Sequence, residues 1–291
     1  MKLRKTLILS IITISILYAN ILLSQQENIS VQKINDQLYQ VTGGGSNSFF
    51  YISNYEVVVI DAKISTDYAK RMLEEINKIT EKPVRYLLIT HHDGDHTRGI
   101  PVFQPPVNIF MHKNAYNHLK EFQKEAKLNL DKLNIITFEK SINIQLSNDN
   151  LKLIYFGPGH TDGDIVIYIP KYKTVILGDL FFKSAIPYLH PESGGNTYEL
   201  EKVLKQICKL EIDIVLSGHS EISSKKDLLD ELNYLVKLQS LVSDFVNNGK
   251  TLDETIKGIP IDIFKNLGGF KRESSFKQNI IDFYNRIKKE K

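Results

Sequence analysis

The 291-residue chain is 42% hydrophobic and 24% charged, an ordinary globular composition with enough length to bury a sizeable core. Its 37 basic residues nearly balance 34 acidic ones, a formal net charge of +3, and the lysines are scattered, which argues against a nucleic-acid partner. Cys208 is the sole cysteine, so no intrachain disulfide can form in any compartment.

The chain begins atypically. Lys2, Arg4 and Lys5 precede the uncharged run TLILSIITISILY and then ANILLSQQ. A basic start, an apolar centre and a small-residue exit predict a signal peptide over residues 1–25, cleaved after Ala19 or Ser24. The protein is then expected to be exported, periplasmic or secreted. Left uncleaved, the same stretch nearly reaches spanning length and becomes an anchor, the one expected membrane contact.

Residues 26–291 read as one domain. LYQV and SFFYIS are predicted strands around a flexible GGGS at 43–46. EVVVIDA (56–62) is an apolar run suited to a strand buried on both faces. TDYAKRMLEEINKI places Ala69, Met72, Leu73, Ile76 and Ile79 at helical spacing. VRYLLIT (84–90) and NIFMH are strands, AYNHLKEFQKEA a helix and NIITF a strand. LKLIYF (151–156), DIVIYI (164–169) and TVILG (174–178) follow at short intervals. Beyond an irregular stretch at 180–195, YELEKVLKQICKL is helical and makes Cys208 a buried structural thiol. IDIVLSG (212–218) is a strand; 227–246 is a long helix striped by Leu228, Leu232, Leu235, Leu238, Leu241, Val242 and Phe245; a last helix covers 274–289. Strands and helices mix throughout without a Pro- or Ser-rich linker, which predicts an α/β class with helices outside two packed sheets.

Four apolar strands end in residues able to ligate a metal. YLLIT runs into THHDGDH (90–96), which carries His91, His92, Asp93, Asp95 and His96. LIYFGPG ends at His160, VILG at Asp179 and IVLSG at His219. A rigid sheet presents functional groups on such loops. Gly159, Gly178 and Gly218 precede three of these ligands and allow sharp turns. Histidine with carboxylate suits borderline divalent metals, and ligands spread over about 130 residues predict a two-metal hydrolytic site. His91 and His92 are adjacent on extended chain, so they point to opposite sides and are not expected to serve one metal together.

THHDGDHTRG, PGHTDGDIVIYIP, ILGDLFF and LSGHS, in this order, resemble the motifs of the metallo-β-lactamase fold superfamily. The resemblance runs from about residue 33 to about residue 245 and implies a four-layer αβ/βα sandwich with a di-metal site at one edge. Its H-x-H-x-D-H motif implies His91 and His160 on the first metal, Asp95, His96 and His219 on the second, and Asp179 between them. Asp93 stands where the second motif histidine is usual; the alternative shifts the loop to use His92. The extra carboxylate admits iron or manganese beside zinc, which remains the first expectation for the two divalent ions. Arg98 departs from the small residue usual there, as an anion-binding cation or a surface residue.

A water shared by two such ions is acidified enough to act as a nucleophile at neutral pH. The expected reaction is hydrolysis of a small-molecule lactam, lactone or other ester-type bond, with Asp95 as the catalytic proton carrier. The bridging Asp179 resembles glyoxalase II, lactonases and general hydrolases of the fold, while export keeps β-lactamase activity in play. Lys183, Tyr188 and His190 are expected to face substrate, Asp61 is a candidate support for a ligand histidine, and Phe181 and Phe182 are expected in the core. His112 and His118 read as structural or surface residues. The alternatives are an iron-dependent oxidoreductase of the same fold and a non-catalytic metal- or ligand-binding protein.

Overall fold

The computed structural model describes residues 28–126, 129–147, 149–269 and 271–291; the expected signal segment, 1–25, lies outside the described residues. Strands β1 (Ser30–Lys33), β2 (Leu38–Thr42), β3 (Ser48–Ile52) and β4 (Val57–Ile60) form an antiparallel meander. From β4 the sheet continues in parallel through β5 (Val84–Leu88), β6 (Asn108–His112) and β7 (Asn134–Phe138). The second sheet runs β8 (Ser141–Leu146), β9 (Asp149–Ile154), β10 (Val166–Ile169) and β11 (Thr174–Ile176) antiparallel, then β12 (Ile214–Leu216) parallel to β11, with the short β13 (Ser223–Ser224) at its edge.

The two sheets face each other across a dry core. Phe49, Tyr51, Val58, Ile60 and Leu88 of the first meet Leu151, Leu153, Ile167, Ile176 and Leu216 of the second, each nearly or wholly sealed from solvent. Burying each such aliphatic side chain contributes about 1.5–3 kcal/mol, so the core fixes the relative position of the strand ends above it. Helix α1 (Thr66–Ile79) and helix α3 (Lys113–Ala126) cover the outer face of the first sheet. Helices α4 (Thr197–Ile207), α5 (Lys225–Asn247) and α7 (Arg272–Lys289) cover the second. The result is the expected helix–sheet–sheet–helix sandwich.

Local chemistry explains the boundaries. Ser65 caps α1 by accepting from the Tyr68 amide, and Ala69, Met72 and Ile76 turn inward. Ile79, counted in the same stripe, is 41% exposed because the last turn overhangs the sheet. Ser224 and Asp227 close a reciprocal capping box at the start of α5. Cys208 ends α4 as its C-cap and is only half-buried, so it is less enclosed than expected. Strands β1, β8 and β13 and helix α6 (Leu252–Gly258) have no counterpart among the predicted elements. No helix among the described residues is long and apolar enough to cross a membrane.

Candidate metal centre

The site lies where strands of both sheets end together. Beyond β4 the chain turns at Asp61, which adopts a left-handed φ of 61°, a conformation that Asp tolerates better than most residues. The turn aims its carboxylate at the neighbouring strand end. Oδ1 accepts from the Thr90 amide and Oδ2 from the Thr90 hydroxyl, both at 2.8 Å, and Oδ2 also accepts from His96 Nδ1 at 2.8 Å. With its proton committed to Asp61, Thr90 Oγ1 accepts from His91 Nδ1 at 3.0 Å. His160 Nδ1 donates to the Tyr188 carbonyl at 2.7 Å. All three rings thus have their Nδ1 protons engaged, which turns Nε2 toward the centre as a lone pair. Asp61, only a candidate support in the sequence, holds His96 directly and His91 through Thr90.

Beyond His91 and His92 the chain enters the single helical turn α2 (Gly94–Thr97), with Asp93 at its N-cap. Asp93 Oδ2 lies 3.1 Å from His160 Nε2 and 3.6 Å from His91 Nε2. Asp95 Oδ2 lies 3.1 Å from His219 Nε2 and 3.6 Å from His96 Nε2. Asp179, delivered by the turn after β11, stands between the two groups. Its Oδ2 is 3.2 Å from His219 Nε2, 3.8 Å from His160 Nε2 and 4.0 Å from His91 Nε2, and its Oδ1 is 3.4 Å from His96 Nε2. Gly218 is required for this closeness, because a Cβ there would meet Asp179 Oδ1 at 2.2 Å and the His96 ring at 2.6 Å.

These donors fit metal. Ligands held about 2.0–2.2 Å from one ion lie roughly 3–3.5 Å from each other; the shorter contacts here fall in that range and the others reach 4.0 Å. Three overlapping sets could each hold an ion: His91, Asp93 and His160; His91, His96 and Asp179; and Asp95, His96 and His219. Moreover, His91 Nε2, His96 Nε2 and Asp179 Oδ1 are buried without a hydrogen-bond partner among the described residues. Leaving such atoms unsatisfied costs about 1–3 kcal/mol each, and three in one place is what a cation relieves. Electrostatics agree. Burial opposes charge on His160 and His219, but Asp93 and Asp179 around the one, and Asp179 and Asp95 around the other, push both up to about 9. Burial would likewise raise Asp93 and Asp179, yet the surrounding histidines hold both far below the carboxylate range.

A cavity of about 730 Å³ opens over the centre, walled by Phe182, Lys183, Tyr188, His190 and Lys271. All three expected substrate-facing residues line it. The Phe pair divides: Phe181 is core, whereas Phe182 faces the cavity and stacks on His219 at 6.1 Å, against the expectation that both are buried packing. Lys183 is engaged by Glu221 at 2.8 Å. Lys271 lies over the Tyr188 ring at 5.3 Å and carried no sequence signal. A second cavity of about 550 Å³ lies behind Asp93, lined by His92, Arg98 and Phe122 among others. The segment expected to be a flexible GGGS is tied into the site instead. Ser46 Oγ donates to the Asp95 carbonyl at 2.8 Å, and Asn47 Nδ2 donates to the carbonyls of Ser217 and Ser220. His112 stacks on Tyr155 away from the centre, and His118 stacks on His92.

Residues 41–219 match the family described as the metallo-beta-lactamase superfamily. The chain is 25% identical over 224 residues to a metallo-beta-lactamase type 2 of Bacillus sp. (strain 170), covering 71% of this chain and 82% of that protein. It is 26% identical over 164 residues to one of Elizabethkingia meningoseptica, covering 54% and 63% respectively. A solved metallo-beta-lactamase from Pontibacter korlensis superposes with a TM-score of 0.63 at 18% identity, over 72% of this chain and 99% of that one.

Proposed function

The chain belongs to the metallo-beta-lactamase superfamily, and on that premise we propose that it is an exported dinuclear metallohydrolase acting on a small lactam, lactone or other ester-type substrate. One observation carries the reading: the orphaned buried atoms His91 Nε2, His96 Nε2 and Asp179 Oδ1 meet among carboxylates at ligand-edge spacing. His91, Asp93 and His160 would hold one ion, Asp95, His96 and His219 the other, with Asp179 shared. Two ions there would acidify a common water and stabilise the oxyanion developing at the substrate carbonyl.

The remaining roles fall to side chains. Asp95 is a quarter exposed to the cavity, so it can orient the nucleophile and carry a proton to the leaving group. Asp61 keeps His96 in the tautomer that presents Nε2. Lys183 and Tyr188 would bound the substrate, and the stacked Phe182 and His219 rings would exclude water from one wall. We read residues 26–291 as the catalytic domain and residues 1–25 as its export signal. Three carboxylates in the ligand set make iron or manganese credible beside zinc, which supports an iron-dependent oxidoreductase as the second reading.

The test is metal content per chain after purification without added metal. Turnover of a chromogenic cephalosporin, a lactone and a phosphodiester is then measured with zinc, manganese or iron restored. Near two ions per chain, with turnover lost by at least about 100-fold in Asp93→Ala and His160→Ala, is expected. One iron with oxygen uptake, or bound metal without turnover, would sink the hydrolase.

A further inference from the structure

His190 stands outside the three ligand groups but touches them at one atom. Its Nε2 lies 3.1 Å from Asp93 Oδ2, the same oxygen that His160 Nε2 approaches at 3.1 Å and His91 Nε2 at 3.6 Å. Three imidazole nitrogens therefore converge on a single point occupied by a carboxylate oxygen. The ring is also prepared as the other ligands are: Glu192 Oε1 lies 2.6 Å from His190 Nδ1, as Asp61 holds His96 and the Tyr188 carbonyl holds His160. Preparation alone does not single it out, because His118 is also held by a carboxylate; its place beside Asp93 Oδ2 does. His118 Nε2 faces Asp162 at 2.8 Å, and His92 Nε2 faces Ser193 at 3.2 Å.

The backbone builds His160 and His190 as a pair. The His190 amide donates to the His160 carbonyl at 2.9 Å, and the Gly195 amide returns to the His190 carbonyl at 2.9 Å. A Cβ at Gly195 would meet the His160 carbonyl oxygen at 2.1 Å and His190 N at 2.9 Å, so only glycine permits the approach. The two rings meet edge to face with centroids 4.9 Å apart. Such a brace is unneeded for a histidine that merely borders a cavity.

We propose that His190 is a ligand of the first metal, completing a three-imidazole set with His91 and His160, and that Glu192 holds it in place. This rests on the dinuclear reading above and extends it to a residue on an irregular loop. Because that residue also walls the substrate cavity, the first metal is coupled to the loop that bounds the substrate.

The test is a cobalt(II) titration of the metal-free protein, followed by visible absorption and by competition with a chelator. The variants are His190→Gln, Glu192→Gln and, as a control, His118→Ala. Glutamine can still donate to Asp93 but is a poor ligand, so it separates ligation from simple positioning. The expected result is two cobalt ions in the wild type. In His190→Gln one ion is weakened by at least about 100-fold, with its absorption band changed, and in Glu192→Gln by about 10–100-fold; His118→Ala matches the wild type. Two ions bound by His190→Gln with wild-type affinity and spectrum would overturn the proposal while leaving the dinuclear reading standing. A wild type that binds fewer than two would remove that reading itself.

Discussion

Asp61, Thr90, His91 and His96 form the floor of the centre, with side chains at most about 1% exposed. Asp93, Asp95, His190 and His219 form its rim, and their side chains are between 19% and 34% exposed. The floor comes from the ends of β4 and β5 and the turn α2, and each of its side-chain polar atoms except His91 Nε2 and His96 Nε2 is hydrogen-bonded inside the protein. The rim comes from the start of α2 and from the loops that carry His190 and His219, and its groups face one another across space a substrate can enter. The floor therefore supplies candidate ligands that are fixed inside the protein, and the rim supplies ones that a substrate can also reach. Substitutions in the floor should act on folding and metal retention together, whereas those in the rim should act on metal or turnover with the fold intact.

The largest effect should come from Asp61→Ala. It strands three buried donors, the Thr90 amide, the Thr90 hydroxyl and His96 Nδ1, so the expected loss is about 3–5 kcal/mol of stability together with metal retention. Asp95→Ala, by comparison, should cost under about 1 kcal/mol, because the group is partly solvated, while abolishing turnover. Urea denaturation of the two metal-free variants checks the contrast. Equal destabilisation would erase the distinction between floor and rim.

A smaller effect separates the metal-free from the loaded protein. His160 and His219, pushed up to about 9 in the metal-free fold, compare with about 6.5 in an unfolded chain. Their ion pairs therefore stabilise the metal-free protein fully below about pH 6.5, and that stabilisation fades as pH rises through about 9. The metal-free Tm should fall by a few degrees between pH 6 and pH 10. Metal uptake at pH 7 must also expel protons from these rings. Calorimetric titration in two buffers of different ionisation enthalpy should show that release, and identical heats in both would refute it.

The residues that meet in floor and rim were largely legible in the sequence, and much of what braces them was not, for a physical reason. β5, β11 and β12 are apolar runs that stop at a histidine or aspartate, so periodicity locates His91, Asp179 and His219 to within a turn. β8 reads SINIQL, a period-2 alternation that marks a half-buried strand but not a continuous apolar run, and β1 is only four residues long. Helix α6 opens on a Thr251–Glu254 capping box but is seven residues long, too short to show a periodic apolar stripe. The GGGS segment looked flexible by composition. Its glycines instead take φ of 85°, 73° and 94°, turning the chain so that Ser46 and Asn47 can grip the site. His190 reads from the sequence only as a substrate-facing residue and not as a neighbour of the ligands, since no strand ends at it and its partners are 30 and 97 residues away in sequence, at His160 and Asp93.

The smallest expected effect decides how the THHDGDH loop is read. His91 and His92 are neighbours, yet their rings serve different regions. His91 Nε2 faces Asp93 and Asp179 in the centre. His92 lies on the far side, stacked on His118 at 4.4 Å, with its Nε2 on the Ser193 hydroxyl. Burial holds it down to about 3, a neutral ring beside the second cavity. His92→Ala should therefore keep both ions and turnover within about twofold, losing only a hydrogen bond and a ring contact worth about 1–2 kcal/mol. His91→Ala should lose the first ion. Metal content of the two variants side by side is sufficient. If His92→Ala sheds an ion while His91→Ala keeps both, the loop turns its other face to the metal, and the floor is built from the wrong histidine.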